Sequence, residues 1–151
     1  MPPMEAPEQV NVKSLGDYLD VMSKATFQSG MSWKVVEAKW TGIRDAFHGF
    51  DIDAVAEMSE DDIDRLTQDT SVIRNRRKLA AVVANAQRMA ELEGEFGSFK
   101  KYLRSEGDFE ATVKSLRKNF KFLGDFGSYY FLYVVGEQVP PHEEFQASRG
   151  K

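Results

Sequence analysis

The groups in this sequence that are best suited to binding an anion lie beside a glycine turn. A basic segment, residues 114–121, precedes Gly124, and an apolar stretch then continues to Gly136. Backbone N–H groups at the start of a helix attract phosphate, and the helix dipole adds to this attraction. The arrangement predicts a basic helix, a hairpin and a buried helix that hold a nucleic-acid backbone, unless it is only a surface connection into a core helix. The predicted contacts are Lys118, Lys121, Gly124 and Gly127.

A second basic cluster comprises Arg74, Arg76, Arg77 and Lys78. It lies at the expected start of a long helix, where the dipole disfavours cations, so it predicts a phosphate partner. A solvated turn is the alternative interpretation. Residues 51–64 carry seven acidic side chains and no basic one, and we expect this acidic run to be a solvated face turned away from the nucleic acid.

A third group of residues is suited to holding a flat aromatic ligand. Phe27 and Trp33 flank Gly30, Gln28 offers an amide that can bind the edge of a base, and Tyr129 adds a hydroxyl on the apolar stretch. Together Phe27, Gln28, Trp33 and Tyr129 predict a base pocket. Core packing is the alternative for the aromatic residues, because such side chains carry large apolar surfaces that are favourable to bury.

Helical periodicity and capping residues predict an all-α fold that positions these groups. Helices are expected to start after Ser14, Ser32, Asp51, Ser59 and about Asn75, with short ones near residues 99–103 and 109–118. We expect Gly94 and Gly97 to end the long helix. Asp125 or Ser128 should cap the last helix, and Gly136 should end it. No segment alternates as a strand does.

Length and composition limit the architecture and the environment. The 151 residues, 42% of them hydrophobic, suit a single helical domain over residues 14–139, with a flexible tail at 1–13 and a C-terminal tail at 140–151. A formal net charge of −4 argues against coating nucleic acid by charge alone. Cysteine is absent, and neither a signal peptide nor a span of ~20 apolar residues occurs, so we expect a cytoplasmic protein without a membrane partner.

Four segments are informative as an ordered set. They are residues 28–33 with 35–39, residues 46–51 leading into 61–66, residues 68–69 with 72–78, and residues 120–124 with Val139 and His142 beyond them. The first begins Gln-Ser-Gly-Met-Ser-Trp and the last Phe-Lys-Phe-Leu-Gly. Each segment alone is weak, but their order and spacing from about residue 27 to 142 resemble the bacterial DNA-3-methyladenine glycosylase I (TAG) family.

The resemblance implies a helical fold of the helix-hairpin-helix glycosylase superfamily and a reaction of base-excision repair. Such enzymes flip a damaged base out of DNA into a pocket and cleave the bond between base and sugar. An adenine methylated at N3 is cationic and a good leaving group, and aromatic faces attract it. The implied partner is double-stranded DNA with an alkylated purine such as 3-methyladenine. We expect a monomer that needs no cofactor.

Several positions depart from the family pattern. Ala25 stands where the family has a glutamate that contacts the damaged base, so the catalytic residue is unknown and low activity is expected. Of the zinc ligands of the family only His142 has a match, so this branch is expected to bind no metal. Pro140 and Pro141 lie where the superfamily keeps its catalytic aspartate. Asp125 follows the hairpin glycine, where the family commonly has an uncharged residue.

Three functions remain open from the sequence. The main hypothesis is a DNA glycosylase for alkylated purines, and the second is a catalytically weak or inactive module that binds DNA or a base. The third is a helical domain that only binds a partner. An open aromatic cleft between Trp33 and the helix of Tyr129 would favour the first two. His142, Glu143 and Glu144 either replace the lost chemistry or belong to a tail.

Overall fold

A computed structural model describes residues 8–141 as a helical fold, so the all-α prediction is confirmed. Within these residues no strand occurs. The elements are α1 (Leu15–Gln28), α2 (Trp33–Ala46), a 3-10 helix (His48–Phe50), α3 (Ile52–Ala56), α4 (Glu60–Leu66), α5 (Arg76–Phe96), α6 (Phe99–Arg104), α7 (Phe109–Asn119) and α8 (Asp125–Val134).

The helix starts follow the capping signals of the sequence. The Ser14 and Asp51 side chains each accept a hydrogen bond from a backbone N–H in the first turn of α1 and α3. Ser59 and Asp62 form a reciprocal capping box at the start of α4. Ser32 precedes α2 as predicted but makes no capping hydrogen bond with its side chain.

Two predicted helix boundaries are wrong. Gly94 lies inside α5, and Gly97, with φ +89°, alone ends that helix. A glycine inside a helix costs about 1 kcal/mol relative to alanine, which the packing of a 21-residue helix can offset. At α8 the N-cap is Gly124, so Asp125 is the first helical residue and Ser128 is buried in the helix interior. Neither residue caps the helix.

The long helix α5 forms the centre of the molecule. It packs against α1, α3, α4 and α6, while α8 packs against α1 and α7. Five phenylalanines are fully buried among these elements: Phe27, Phe47, Phe50, Phe99 and Phe131. Burying a side chain of this size contributes about 1.5–3 kcal/mol, so these contacts fix how the helices that carry the candidate site meet.

Both ends of the described chain are attached to α8. The Val10 N–H donates to the Val134 carbonyl at 2.8 Å, and Gln9 Nε2 donates to the Tyr133 carbonyl at 2.9 Å. The Tyr129 hydroxyl donates to the Pro140 carbonyl at 2.7 Å. These bonds attach parts of both predicted tails to the domain. The remaining tail residues, including His142, Glu143 and Glu144, lie outside the described residues.

Candidate functional site

The turn between α7 and α8 is held by a side chain from α5. Phe122 adopts φ +56°, a conformation that residues with a side chain rarely adopt. Asn85, which is 2% exposed, accepts a hydrogen bond from the Lys121 N–H at 2.9 Å and donates to the Lys121 carbonyl at 3.2 Å. This reciprocal pair fixes the hairpin. No sequence pattern predicts this pair, because an asparagine inside a helical pattern does not reveal its distant partner.

The start of α8 presents backbone N–H groups near this turn. Gly124 is exposed, and no side chain caps the helix there. The first four N–H groups of a helix have no partner within the helix, which makes such an end suited to an anion. Asp125, the residue that departs from the family pattern, pairs with Arg117 at 2.9 Å. Its negative charge is therefore partly compensated.

Gly127 lies close to α1. A Cβ atom added there would lie 3.4 Å from Leu123 Cδ1 and 3.9 Å from the Ala25 Cβ, which are ordinary van der Waals distances. Ala25 of α1 therefore lies beside this part of α8. Ala25 is 4% exposed, so the position of the family glutamate is here an apolar contact between two helices.

One residue from each basic cluster lines a groove beside the hairpin. Lys118 and Lys121 are exposed, and so are Arg74 and Arg77. The Arg77 guanidinium lies 5.5 Å from the centre of the Phe122 ring, within the range of a cation–π contact. Arg77, Lys121 and Phe122 line the same groove beside the hairpin, with a volume of about 790 Å³. The structure thus brings together cations that are 44 residues apart in sequence.

Arg76 is less available to an incoming anion, because its charge is already paired with two acidic side chains. Its guanidinium pairs with Glu60 at 2.6 Å and with Asp64. Both carboxylates belong to the acidic run and are largely exposed, so part of this solvated run lies beside the second basic cluster. That the run faces away from the nucleic acid stays a prediction. Docking of α4 against α5 brings the opposite charges together.

Lys78 is the other correction within the second cluster. It is 4% exposed, and its ammonium donates to the Phe27 carbonyl at 2.9 Å and to the Ser29 carbonyl. Burial lowers the pKa of Lys78. The side chain closes the carboxyl end of α1, where a cation is favoured by the helix dipole. Its amine is therefore turned inward and away from a phosphate at the surface.

The four predicted pocket residues are not brought into one open cleft. Phe27 is fully buried, with its ring 6.4 Å from that of Trp40. Tyr129 is buried against Phe109, at 5.9 Å between ring centres, on the side of α8 that faces α7. For these two residues the structure favours the alternative of core packing.

Gln28 and Trp33 remain near the turn between α1 and α2. The Trp33 side chain is 38% exposed, so its ring is accessible for stacking. The Nε2 atom of Gln28 is buried without a hydrogen-bond partner among the described residues. A buried amide donor without a partner is unusual in a folded protein.

Tyr130, rather than Tyr129, is the α8 tyrosine that faces α1 and α2. Burial raises the pKa of the Tyr130 phenol, and the negative charges of Glu37 and Asp20 raise it further. Glu37 pairs with Lys24 of α1, and Asp20 accepts a hydrogen bond from Arg44 Nη1 at 2.5 Å. The sequence analysis missed this polar cluster of α1, α2 and α8.

The described residues offer neither a metal site nor a membrane span. No three histidine, aspartate or glutamate side chains come together there as a metal site would require. His142 lies beyond this range, so the absence of zinc stays a prediction. None of the helices within residues 8–141 has the length and apolar character needed to cross a bilayer.

Comparison with known sequences gives one consistent result. Residues 16–122 match a family model described as methyladenine glycosylase. DNA-3-methyladenine glycosylase 1 of Escherichia coli strain K12 is 32% identical over 130 residues, covering 72% of this chain and 70% of that protein. The DNA-3-methyladenine glycosylase of Haemophilus influenzae is 33% identical over 130 residues, with the same coverage.

Solved structures agree with the sequence comparison. A crystal structure of 3-methyladenine DNA glycosylase I gives a TM-score of 0.73 at 28% identity, covering 84% of this chain and 81% of that one. The enzyme from Staphylococcus aureus, whose structure concerns 3-methyladenine recognition, gives a TM-score of 0.74 at 25% identity, covering 89% of this chain and 86% of that one. The arrangement of helices is thus shared along most of the chain.

Proposed function

Since this chain belongs to the methyladenine glycosylase family, we propose that it recognises alkylated purines such as 3-methyladenine in double-stranded DNA and releases them from the sugar. The observation that supports this most is the match across residues 16–122, which includes the turn before Trp33 and the hairpin as far as Phe122. We further propose that it acts as a monomer.

In this proposal the hairpin holds the DNA backbone. The N–H groups at the start of α8 donate hydrogen bonds to a phosphate, and Lys118, Lys121 and Arg77 supply positive charge beside it. Such contacts are independent of sequence, which suits a protein that must act at lesions in any context. They also hold the duplex while one base leaves the stack.

The flipped base stacks on Trp33 in this proposal. A cationic ring is attracted to an indole face by about 0.5–2 kcal/mol, depending on how far it is removed from water. When the bond between C1′ of the sugar and N9 of the base breaks, its electron pair passes to the base and neutralises the ring. Water then adds to the sugar. The positive charge of the base lowers the need for a strong general acid.

Ala25 is expected to slow this reaction. A hydrogen bond to a charged group contributes about 1.5–3 kcal/mol, and each 1.36 kcal/mol is a factor of ten in rate, so its loss corresponds to roughly ten- to hundredfold. The same observation favours the second candidate function, a module that binds the damaged base without releasing it. Ala25 is the reason to keep that candidate.

Chromatography of bases released from methylated DNA separates the two candidates, with heat-denatured protein as the blank. The parent should release 3-methyladenine slowly. Trp33→Ala should abolish release with little change in melting temperature, because the ring is partly exposed. Ala25→Glu should raise the rate if the variant still folds. No release by the folded parent or by folded Ala25→Glu would leave the binding module as the better account.

A further inference from the structure

Trp33 and Glu37 form an exposed pair on one face of α2. They are four residues apart, and residues with this spacing are neighbours on a helix surface. Each side chain is 38% exposed. A planar cation can therefore contact the indole face and the carboxylate at the same time. A planar neutral ring gains only the first contact.

The other acidic side chain nearby, Asp20, already has hydrogen-bond partners. Asp20 bonds to Arg44 at 2.5 Å and to the Trp40 side chain, and burial raises the pKa of this carboxyl group. Burial likewise keeps the Tyr130 phenol in its neutral form, since its pKa is raised. Glu37 is thus the accessible negative charge of this polar cluster.

The partner of Glu37 can be exchanged at little cost. Lys24 pairs with Glu37, and a solvent-accessible ion pair contributes little net stability because water screens the attraction. The Lys24 ammonium also lies 5.4 Å from the centre of the Trp40 ring, so it keeps a cation–π contact when the carboxylate takes another partner. Lys24 therefore competes with any cation that approaches Glu37.

We propose that Glu37 and Trp33 select the positively charged form of the base, with Lys24 holding the carboxylate when no base is bound. This inference rests on the proposed function and names the residue that supplies the charge. Because Ala25 is an apolar contact in this chain, the negative charge would come from α2 instead of α1.

Two matched ligands test the selection in the intact protein. 3,9-Dimethyladeninium is a cation that models the methylated base joined to its sugar, and 9-methyladenine is the neutral control. Binding is followed by NMR titration of the tryptophan indole N–H signals. Glu37→Gln should weaken binding of the cation roughly fivefold or more, as a lost charged contact requires. Glu37→Gln should leave binding of the neutral ligand unchanged. Glu95→Gln, an exposed control on α5, should leave binding of both ligands unchanged.

Replacing the competing cation should have the opposite effect. Lys24→Gln should tighten binding of the cation by up to about fivefold, since the ion pair between Lys24 and Glu37 no longer competes. In a protein that already carries Glu37→Gln, the Lys24→Gln change should have no effect on this affinity. A double-mutant cycle of these two changes measures that coupling directly.

The outcomes distinguish this inference from the function on which it rests. If the parent releases 3-methyladenine and Glu37→Gln keeps the full preference for the cation, the inference is wrong but the proposed function stands. Weaker cation binding by Lys24→Gln also overturns it. A folded parent that releases no methylated base and binds neither ligand overturns the proposed function as well.

Discussion

The hairpin and the α1–α2 surface differ in the kind of group that meets the ligand. At the hairpin, backbone N–H donors at the start of α8 act together with basic side chains, and the turn that precedes them is held by Asn85 and by the conformation of Phe122. At the α1–α2 surface they are side chains, Trp33 and Glu37 among them. A site made of backbone is preserved when its geometry is preserved. A site made of side chains changes its specificity with each substitution, and Ala25 is such a change.

The two regions also differ in how their charges are compensated. The groove beside the hairpin is lined by Arg77 and Lys121, and also by Glu60, whose charge is paired with Arg76, so the two remaining cations favour an anion. On the α1–α2 surface Glu37 pairs with Lys24 and Asp20 pairs with Arg44, and Glu37 is the more exposed of the two carboxylates. An anionic backbone therefore suits the hairpin, whereas a cation that displaces Lys24 suits the α1–α2 surface.

Charge reversal at the hairpin should give the largest effect on DNA binding. The double variant Lys118→Glu and Lys121→Glu removes two phosphate contacts and adds repulsion, so affinity at physiological salt should fall roughly thirty- to hundredfold. Fluorescence anisotropy with a labelled duplex measures it. Lys100→Glu with Lys101→Glu on α6 is the matched control, with the same charge change on exposed residues. Similar losses in both double variants would remove the hairpin from the interface.

Loss of the Asn85 side chain should damage the hairpin through the fold. Asn85→Ala leaves the Lys121 N–H and carbonyl without their partner, which costs about 1–3 kcal/mol for a buried polar group. Urea unfolding measures the free energy of unfolding. Gln87→Ala on the same helix removes one exposed hydrogen bond to the Ala56 carbonyl and should change stability much less. Equal losses would mean that the reciprocal pair does not stabilise the hairpin.

The salt dependence of DNA affinity distinguishes the role of Arg76 from that of Arg77. With Arg74, Arg77, Lys118 and Lys121 as the available cations, log affinity should fall against log salt with a slope of about −3 to −4. Arg77→Gln should make that slope less steep by about one unit. Arg76→Gln should leave it nearly unchanged, because this guanidinium is paired with Glu60 and Asp64. The reverse order would show that the acidic partners release Arg76 to the DNA.

Sequence reasoning succeeded where the determining interactions are local. The starts of α1, α3 and α4 depend on Ser14, Asp51 and Ser59, each of which bonds to a backbone N–H three residues ahead. The all-α fold class follows from the same signals and from helical periodicity. The resemblance to the glycosylase family likewise rested on short segments in a fixed order, and it is confirmed.

Prediction from the sequence failed where a distant element determines the contacts of a side chain. Helix α8 is apolar nearly all round, so its periodicity gave no reason to choose Tyr130 over Tyr129, although the two point about 100° apart. The burial of Lys78 depends on the position of the last carbonyls of α1, about 50 residues earlier. The pairing of Arg76 depends on how α4 docks against α5. None of these contacts is visible in a local pattern.

The smallest predicted effect concerns Lys78, which is buried and holds the end of α1, unlike the exposed basic residues of the hairpin. Because burial lowers its pKa, the folded protein loses this proton at a lower pH than the unfolded chain, whose lysines titrate near 10.4. Between these two values the unfolded chain binds more protons, so the contribution of Lys78 to the free energy of unfolding rises as pH rises. Burial also raises the pKa values of four tyrosines, which act in the opposite direction above about pH 10: Tyr18, Tyr102, Tyr129 and Tyr130.

The difference in the free energy of unfolding between the parent and a Lys78 variant isolates the contribution of the lysine, because both proteins contain the same tyrosines. Urea unfolding of the parent and of Lys78→Met is measured from pH 7 to pH 10. The parent should gain stability relative to the variant as pH increases through the lowered pKa. Lys101→Met, which replaces an exposed lysine, should give a difference that is independent of pH. A flat or falling difference for Lys78→Met would mean that its two carbonyl partners hold the ammonium charged, and that the desolvation of Lys78 is fully offset by those hydrogen bonds.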